Sequence, residues 1–338
     1  MRAGQKGETP PNEDLVPDSV PMKAERRLQH PFSFSVFFPM LILIAAVVWA
    51  SRLIDAIPNR DELGPKTSAL TIRRVALDRG GFGPLKLAGA WHLTSPDPRF
   101  GGFSGLAFDN GLIALTDRGA VARFHRSPAG WTVTMDDLPD GPDSGRFRAN
   151  RDSEALLADP RGRGWWVSFE HANQLWLYDP DFDRPLERIR FGRYRWPANA
   201  GIEGLTAEGG GLLLFIEGGK KVFRSRGSRL DAEPVVGKQM RFSEATALPG
   251  KRFLAVERSL SLLGFRTRLA LLEERDGRFE VIRTIPLGVR RLDNVEGMAI
   301  EARPDGGQRL WLMTDDNFQP ALRTLLVALD VPKGTLTD

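Results

Sequence analysis

The sequence predicts an all-β protein, a β-propeller of five or six blades, preceded by one N-terminal transmembrane helix. Three observations predict it. From about residue 70 onward the helical period of 3.6 is nearly absent, and short apolar runs alternate with Gly, Asp, Pro and Asn clusters. A pair of such runs recurs five times along the body. Ahead of them, residues 32–50 read FSFSVFFPMLILIAAVVWA, nineteen residues without a charge.

In chain order, residues 1–30 are rich in Pro and charge and read as a disordered tail. Residues 31–53 form the membrane anchor or a signal sequence, since nineteen helical residues at about 1.5 Å each approach a hydrocarbon core of about 30 Å. Pro39 is tolerated in such a helix. Lys23, Arg26 and Arg27 precede it and the acids Asp55, Asp61 and Glu62 follow, a weak positive-inside bias that places the body outside the cytoplasm. A signal peptide read from Met22 and cleaved after Ala50 fits the same features, giving a secreted protein. Residues 54–69 read as a polar linker, and residues 70–338 as the propeller domain.

The repeated units begin FSGLAFDNGLIALTDRG (Phe103), DSEALLADPRGRGWWVSFEHAN (Asp152), IEGLTAEGGGLLLFIEGG (Ile202), FSEATALPGKRFLAVERS (Phe242) and VEGMAIEARPDGGQRLWLMTDDN (Val295). Each offers a Ser or Glu, a small residue, a strand, a turn, a second strand and a closing acid. The first positions are Ser104, Glu154, Glu203, Glu244 and Glu296, spaced by 50, 49, 41 and 52 residues. The closing acids are Asp117, Glu170, Glu217, Glu257 and Asp315. Units of roughly fifty residues with room for four strands describe propeller blades. LWLYD (175–179) and RLALLEE (268–274) supply third strands. RIRFGRY (188–194) and FEVIRTIPL (279–287) supply outer ones. The last unit stops one strand short, and LKLAGAWHL (85–93) is available to complete it.

Inner strands of a propeller surround one axis, so first positions and closing acids gather at one channel mouth. Two carboxylates about 5 Å apart repel by roughly 3 kcal/mol at an effective dielectric near 20. Crowded acids therefore take up protons or a cation. Oxygen ligands without His or Cys suit Ca2+, with Mg2+ second. The candidate ligands are Asp117, Glu154, Glu217, Glu244, Glu257, Asn294, Glu296, Asp315, Asp316 and Asn317. An architectural reading stands beside this one, in which the repeated acids only accept backbone N–H groups from neighbouring blades. Arg151, Lys221 and Arg258 are candidate contacts to an anionic ligand such as a phosphorylated small molecule. Arg118 and Lys220 could stabilise charge on a transferring group, and Glu203 could act as general base.

The totals exclude several classes. The formal charge of +4 over 338 residues, without basic blocks, argues against nucleic acid. The absence of Cys removes disulfides, thiol catalysis and Cys-ligated metals. GGFSG is not a nucleophile elbow, and the four histidines have no mutual metal spacing.

RFGGFSGLAFD, ALTDRG, RDSEALL, GIEGLT, NVEGMAI and LWLMTDDNF resemble the phytase-like family, also described as esterase-like activity of phytase. The resemblance covers residues 70–335. It implies a β-propeller related to calcium-dependent alkaline phytases, which bind calcium through acids at the channel mouth and hydrolyse phosphomonoesters. It carries functional roles onto Asp117, Arg118, Glu154, Glu203, Glu296, Asp315 and Asn317. Ser104 departs from the Glu of the other units, and a membrane anchor departs from a freely secreted enzyme. A tethered propeller that binds a structural cation or a ligand without catalysis is the alternative.

Overall fold

The computed structural model describes residues 65–336 apart from 78, 143–150, 193, 195–200, 239–240, 262–263, 289–291 and 293. The expected tail and membrane segment lie outside these residues. Among the described residues no helix is long and apolar enough to cross a membrane.

The chain enters through β1 (Lys66–Ala69), β2 (Thr71–Arg74), a short 3-10 turn and β3 (Lys86–Thr94). Four strands follow in the first sheet: β4 (Phe103–Phe108), β5 (Leu112–Thr116), β6 (Ala120–Ser127) and β7 (Gly130–Asp137). The second holds β8 (Ser153–Ala158), β9 (Trp165–Phe169), β10 (Gln174–Tyr178) and β11 (Pro185–Arg190). The third holds β12 (Ile202–Glu208), β13 (Gly211–Ile216), β14 (Lys221–Arg226) and β15 (Arg229–Val236). The fourth holds β16 (Arg241–Leu248), β17 (Arg252–Ser261), β18 (Gly264–Arg275) and β19 (Arg278–Pro286). The last comprises β20 (Val295–Ala302), β21 (Gln308–Thr314) and β22 (Leu325–Val331).

Each group is an antiparallel meander. Two parallel pairs, Val235 with Phe279 and Val236 with Glu280, join the third and fourth meanders into one eight-stranded sheet. The last meander is completed from the start of the domain, because β3 pairs with β22 and β2 pairs with β3. That closure is the one expected for LKLAGAWHL. β1, from the stretch expected to be linker, adds to the outer edge of the first sheet by pairing with β7.

The inner strands form a closed circuit: β4 touches β8, β8 touches β12, β12 touches β16, β16 touches β20, and β20 returns to β4. Apolar packing has the same cyclic form, with one core cluster at each of five junctions between neighbouring sheets. This is a β-propeller with five blades among the described residues. Its middle strands are buried on both faces, so WWVSF and GLLLFI are continuous apolar runs. The outermost strands β11 and β15 are largely exposed instead, with only Ile189 buried in the first and Leu230 and Val235 in the second. At the junction of blades three and four, Phe215 packs against Phe242, Phe253 and Phe279 with ring centroids 5.2–6.1 Å apart.

The small residues of the repeat have a steric cause. A Cβ on Gly204 would lie 2.7 Å from the Ala245 backbone nitrogen of the next blade. One on Gly297 would lie 2.9 Å from the Leu106 Cβ, and one on Gly105 would lie 3.1 Å from the Leu156 nitrogen. Three blades thus meet their successors through the missing side chain. Gly204→Ala should cost about 1–3 kcal/mol, since the obstructing atom is backbone. Gly111→Ala, with open space around it, should leave the melting temperature of the wild type unchanged.

Candidate functional site

Every inner strand opens with a bulge against its partner, and in four of the five blades the extra residue is the expected first position of the repeat: Ser104, Glu154, Glu203 and Glu296. Strand pairing fixes which residues correspond. The amide of Asp117 donates to the Gly102 carbonyl at 2.7 Å, and that of Glu170 to Asp152 at 2.8 Å. Glu217 likewise donates to Gly201 at 3.2 Å and Asp315 to Asn294 at 2.9 Å. In the fourth blade the residue pairing at this place is Arg258, opposite Arg241.

The register corrects two expectations in that blade. Glu257 stands one residue before the closing position; it is fully buried and accepts from the Arg268 Nε at 2.6 Å. Glu244 stands one residue after the bulge, where the other blades carry Gly or Ala. Its Oε1 accepts from the Ala245 amide at 2.8 Å, and its Oε2 is buried without a hydrogen-bond partner. The bulge residue is Ser243, whose Oγ donates to the Val295 carbonyl of the next blade at 2.9 Å. Ser104 makes the same bond to the Ser153 carbonyl at 2.6 Å. At the bulge, then, a blade carries either a Glu in the mouth or a Ser that ties it to its successor.

The mouth therefore brings together Glu154, Glu203 and Glu296 from bulges with Asp117, Glu170, Glu217, Asp315 and Arg258 from closing positions. Burial pushes the Glu154 carboxyl well above its ordinary pKa, reinforced by Glu203, Asp152 and Glu296. Glu203 is also raised well above, by burial first, with Arg258 opposing and Glu296 adding to it. Asp315 is raised by burial, Glu296 and Asp117. Glu244 is raised by burial, with the Ala245 amide opposing and Glu203 adding. Glu170 rises from 4.5 to about 7, by burial and then Asp152.

Arg258 is the cation inside this group. Its Nη1 donates to Glu296 and to the Asn294 Oδ1, and its Nη2 lies 3.9 Å from the Glu203 Oε2. Asn294 in turn donates to Asp315 Oδ2 at 3.1 Å. One guanidinium thus links bulge residues of the third and fifth blades.

Other expected residues make different contacts. Asp316 accepts from the Gly102 amide at 2.9 Å and from the Thr324 hydroxyl at 2.8 Å, clasping the last blade to the first. Asn317 is exposed and uses its amide to donate to Asp315 Oδ1 at 2.6 Å. Arg151 is buried, with Nη1 3.4 Å from the Leu138 carbonyl, and fills the space beside Gly141. Lys220 and Lys221 are exposed around the start of β14. Arg118 lies over the Phe318 ring, 3.5 Å from its centroid, a cation–π contact at the mouth. His171, which has no metal spacing to the other histidines, has its Nδ1 3.1 Å from Asp152 Oδ2 and 3.3 Å from Glu170 Oε2. Asp152, Glu170 and His171 place one ligand atom each within 4.8 Å of one another.

Fold and site define a five-bladed β-propeller with a carboxylate-rich channel mouth. The chain belongs to the phytase-like family: the family model, described as esterase-like activity of phytase, matches residues 98–318. No curated protein matches the sequence. Among solved structures, the glutaminyl cyclase of Myxococcus xanthus is similar in fold, with a TM-score of 0.50 and 17% identity over 77% of this chain and 99% of that one. The GH62 α-L-arabinofuranosidase catalytic domain of Coprinopsis cinerea superposes at a TM-score of 0.45 and 10% identity, covering 78% of this chain and 98% of that one.

Carboxyls raised in the folded state hold protons that the unfolded chain releases at lower pH. They stabilise the fold below the ordinary carboxylate range, and that contribution is lost as pH rises through the folded-state values. With divalent ions chelated, the melting temperature should therefore fall between about pH 4.5 and pH 7 for Glu170, and further beyond for the deeper acids. Glu154→Gln should flatten the high-pH part of that curve in a pH series of thermal melts.

Proposed function

We propose that this chain is a phytase-like hydrolase of phosphoric esters that works outside the cytoplasm with a hard divalent cation, calcium first and magnesium second. The observation that carries this reading is the convergence of carboxylates from four blades on one mouth, several of them raised above their ordinary pKa by burial first and by one another second. Family membership supports the ester-hydrolysing class.

The donor set fits such a cation: it is carboxylate oxygen at Glu154, Glu296, Asp315 and Asp117, which are the residues that would hold it. When bound, the ion would offset substrate phosphate charge and make a bound water more acidic. The chain's own residues supply the rest. Glu203, whose carboxyl burial raises well above its ordinary pKa, would act as the general base. Arg258 steadies Glu203 and Glu296 against each other. Arg118, braced on Phe318, offers a planar donor suited to a phosphate oxygen. Lys220 is a further exposed cation for substrate charge, and residues 31–53 would tether the domain or export it.

One observation favours a second reading, a tethered binding platform without catalysis. Arg258 already compensates part of the ring from within, bonded to both Glu296 and Asn294. A ring closed in this way needs less external cation and has less room for one.

Phosphate release from phytate and simpler monoesters separates the two. The hydrolase reading expects release with calcium, its loss in chelator, and a drop of about 100-fold or more in Glu203→Gln. Intact esters with every divalent ion tried, together with a calcium-dependent rise in melting temperature, would establish the binding platform instead.

A further inference from the structure

The second blade carries a constellation that the other four lack. Its place opposite the closing acid is Asp152, where the others have Gly102, Gly201, Arg241 and Asn294. Its closing acid, Glu170, is followed by His171, where the others have Arg118, Gly218, Ser259 and Asp316. The repeat thus places two carboxylates and an imidazole together once only among the described blades.

Their arrangement follows from the backbone. The Glu170 amide donates to the Asp152 carbonyl, which fixes these residues as neighbours at the bulge end of β8 and β9. The chain then turns, with the Asn173 amide donating to the Glu170 carbonyl at 3.2 Å, and the turn carries His171 back over the pair. Gly201 of the third blade leaves the space that Glu170 fills, since a Cβ there would collide with the Glu170 side chain. The three ligand atoms converge without rearrangement, and the imidazole is the solvent-facing member, with 36% of its side chain exposed.

We propose that Asp152, Glu170 and His171 form a binding site for a first-row transition-metal dication, of the zinc, cobalt or manganese kind. One imidazole nitrogen with two carboxylate oxygens is a donor set for such ions, whereas calcium and magnesium take oxygen alone. Three protein ligands with an open solvent side leave positions for water or a ligand, as in sites that act on substrates and unlike closed structural ones. The site adjoins the hard-cation ring through Glu170, but its three ligands are not among the residues proposed to hold calcium, and it would stand if those held none.

The test is cobalt(II) titration of the metal-free, untagged full-length chain, read by visible d–d absorption and by equilibrium dialysis. One cobalt per chain, displaced by zinc and not by excess calcium, is the expected result. His171→Ala should weaken binding at least tenfold and remove the nitrogen-dependent band, while Glu203→Gln, which removes no ligand, should keep the band and change affinity by less than about threefold. Gly201→Ala, which displaces Glu170 from a distance, should also weaken binding. Wild-type affinity in His171→Ala overturns the site. Equal losses in His171→Ala and Glu203→Gln would place the metal in the central ring and overturn it as well.

Discussion

Five sheets can surround one axis only if their innermost backbones come almost into contact, and that approach governs the rest of the molecule. Gly105, Gly204 and Gly297 permit it, each facing backbone or Cβ atoms of the next blade with no space for a side chain. A sheet edge brought so close would leave its first residue no room in the regular ladder. The bulges solve this by ejecting that residue, and the ejected residue is the one that lines the mouth. Site and scaffold therefore share a single cause.

The same crowding sets the electrostatics. Residues ejected toward a common axis are near each other whatever their charge, and three of five here are Glu. Water cannot solvate them fully so close to the axis, which raises their carboxyls. Two devices relieve the repulsion. Ser104 and Ser243 replace carboxylates outright and turn their hydroxyls into bonds between blades. Arg258 then enters where the other blades close with an acid. A guanidinium suits this position because its planar donors reach Glu296 and Asn294 together while remaining near Glu203. A lysine there would offer a point charge to one neighbour at a time.

Much of this was legible in the sequence, and the parts that were not have physical reasons. The fifty-residue period and the paired apolar runs announced the blades, and the missing last strand announced closure by β3. The fourth blade misled because its Ser243-Glu244-Ala245 copies the Ser153-Glu154-Ala155 of the second. Identity of letters suggested that Glu244 and Glu154 correspond, yet the bulge follows backbone register. The better guide was the apolar residue just before the bulge in three sister blades. Phe103, Ile202 and Val295 precede Ser104, Glu203 and Glu296, so Phe242 points to Ser243. The same one-residue slip moved the closing acid from Arg258 to Glu257.

His171 was hidden for a different reason. Metal spacing along a sequence reveals ligands that share a helix or a tight loop, such as two His four residues apart. Asp152 and His171 are nineteen positions apart and meet only because β8 and β9 pair in one register and the following turn folds back. Nothing in local periodicity encodes that meeting. The repeat does encode it indirectly, once the blades are aligned on their bulges. A departure from the pattern at two adjoining places in one blade, Asp for Gly or Asn and His after the acid, has no steric requirement behind it. Gly102 and Gly201 show that the scaffold closes without a carboxylate at the first of these places, and Gly218 that it closes without an imidazole at the second. Where architecture leaves a choice free and the sequence still assembles a coherent donor set, chemistry is the remaining constraint.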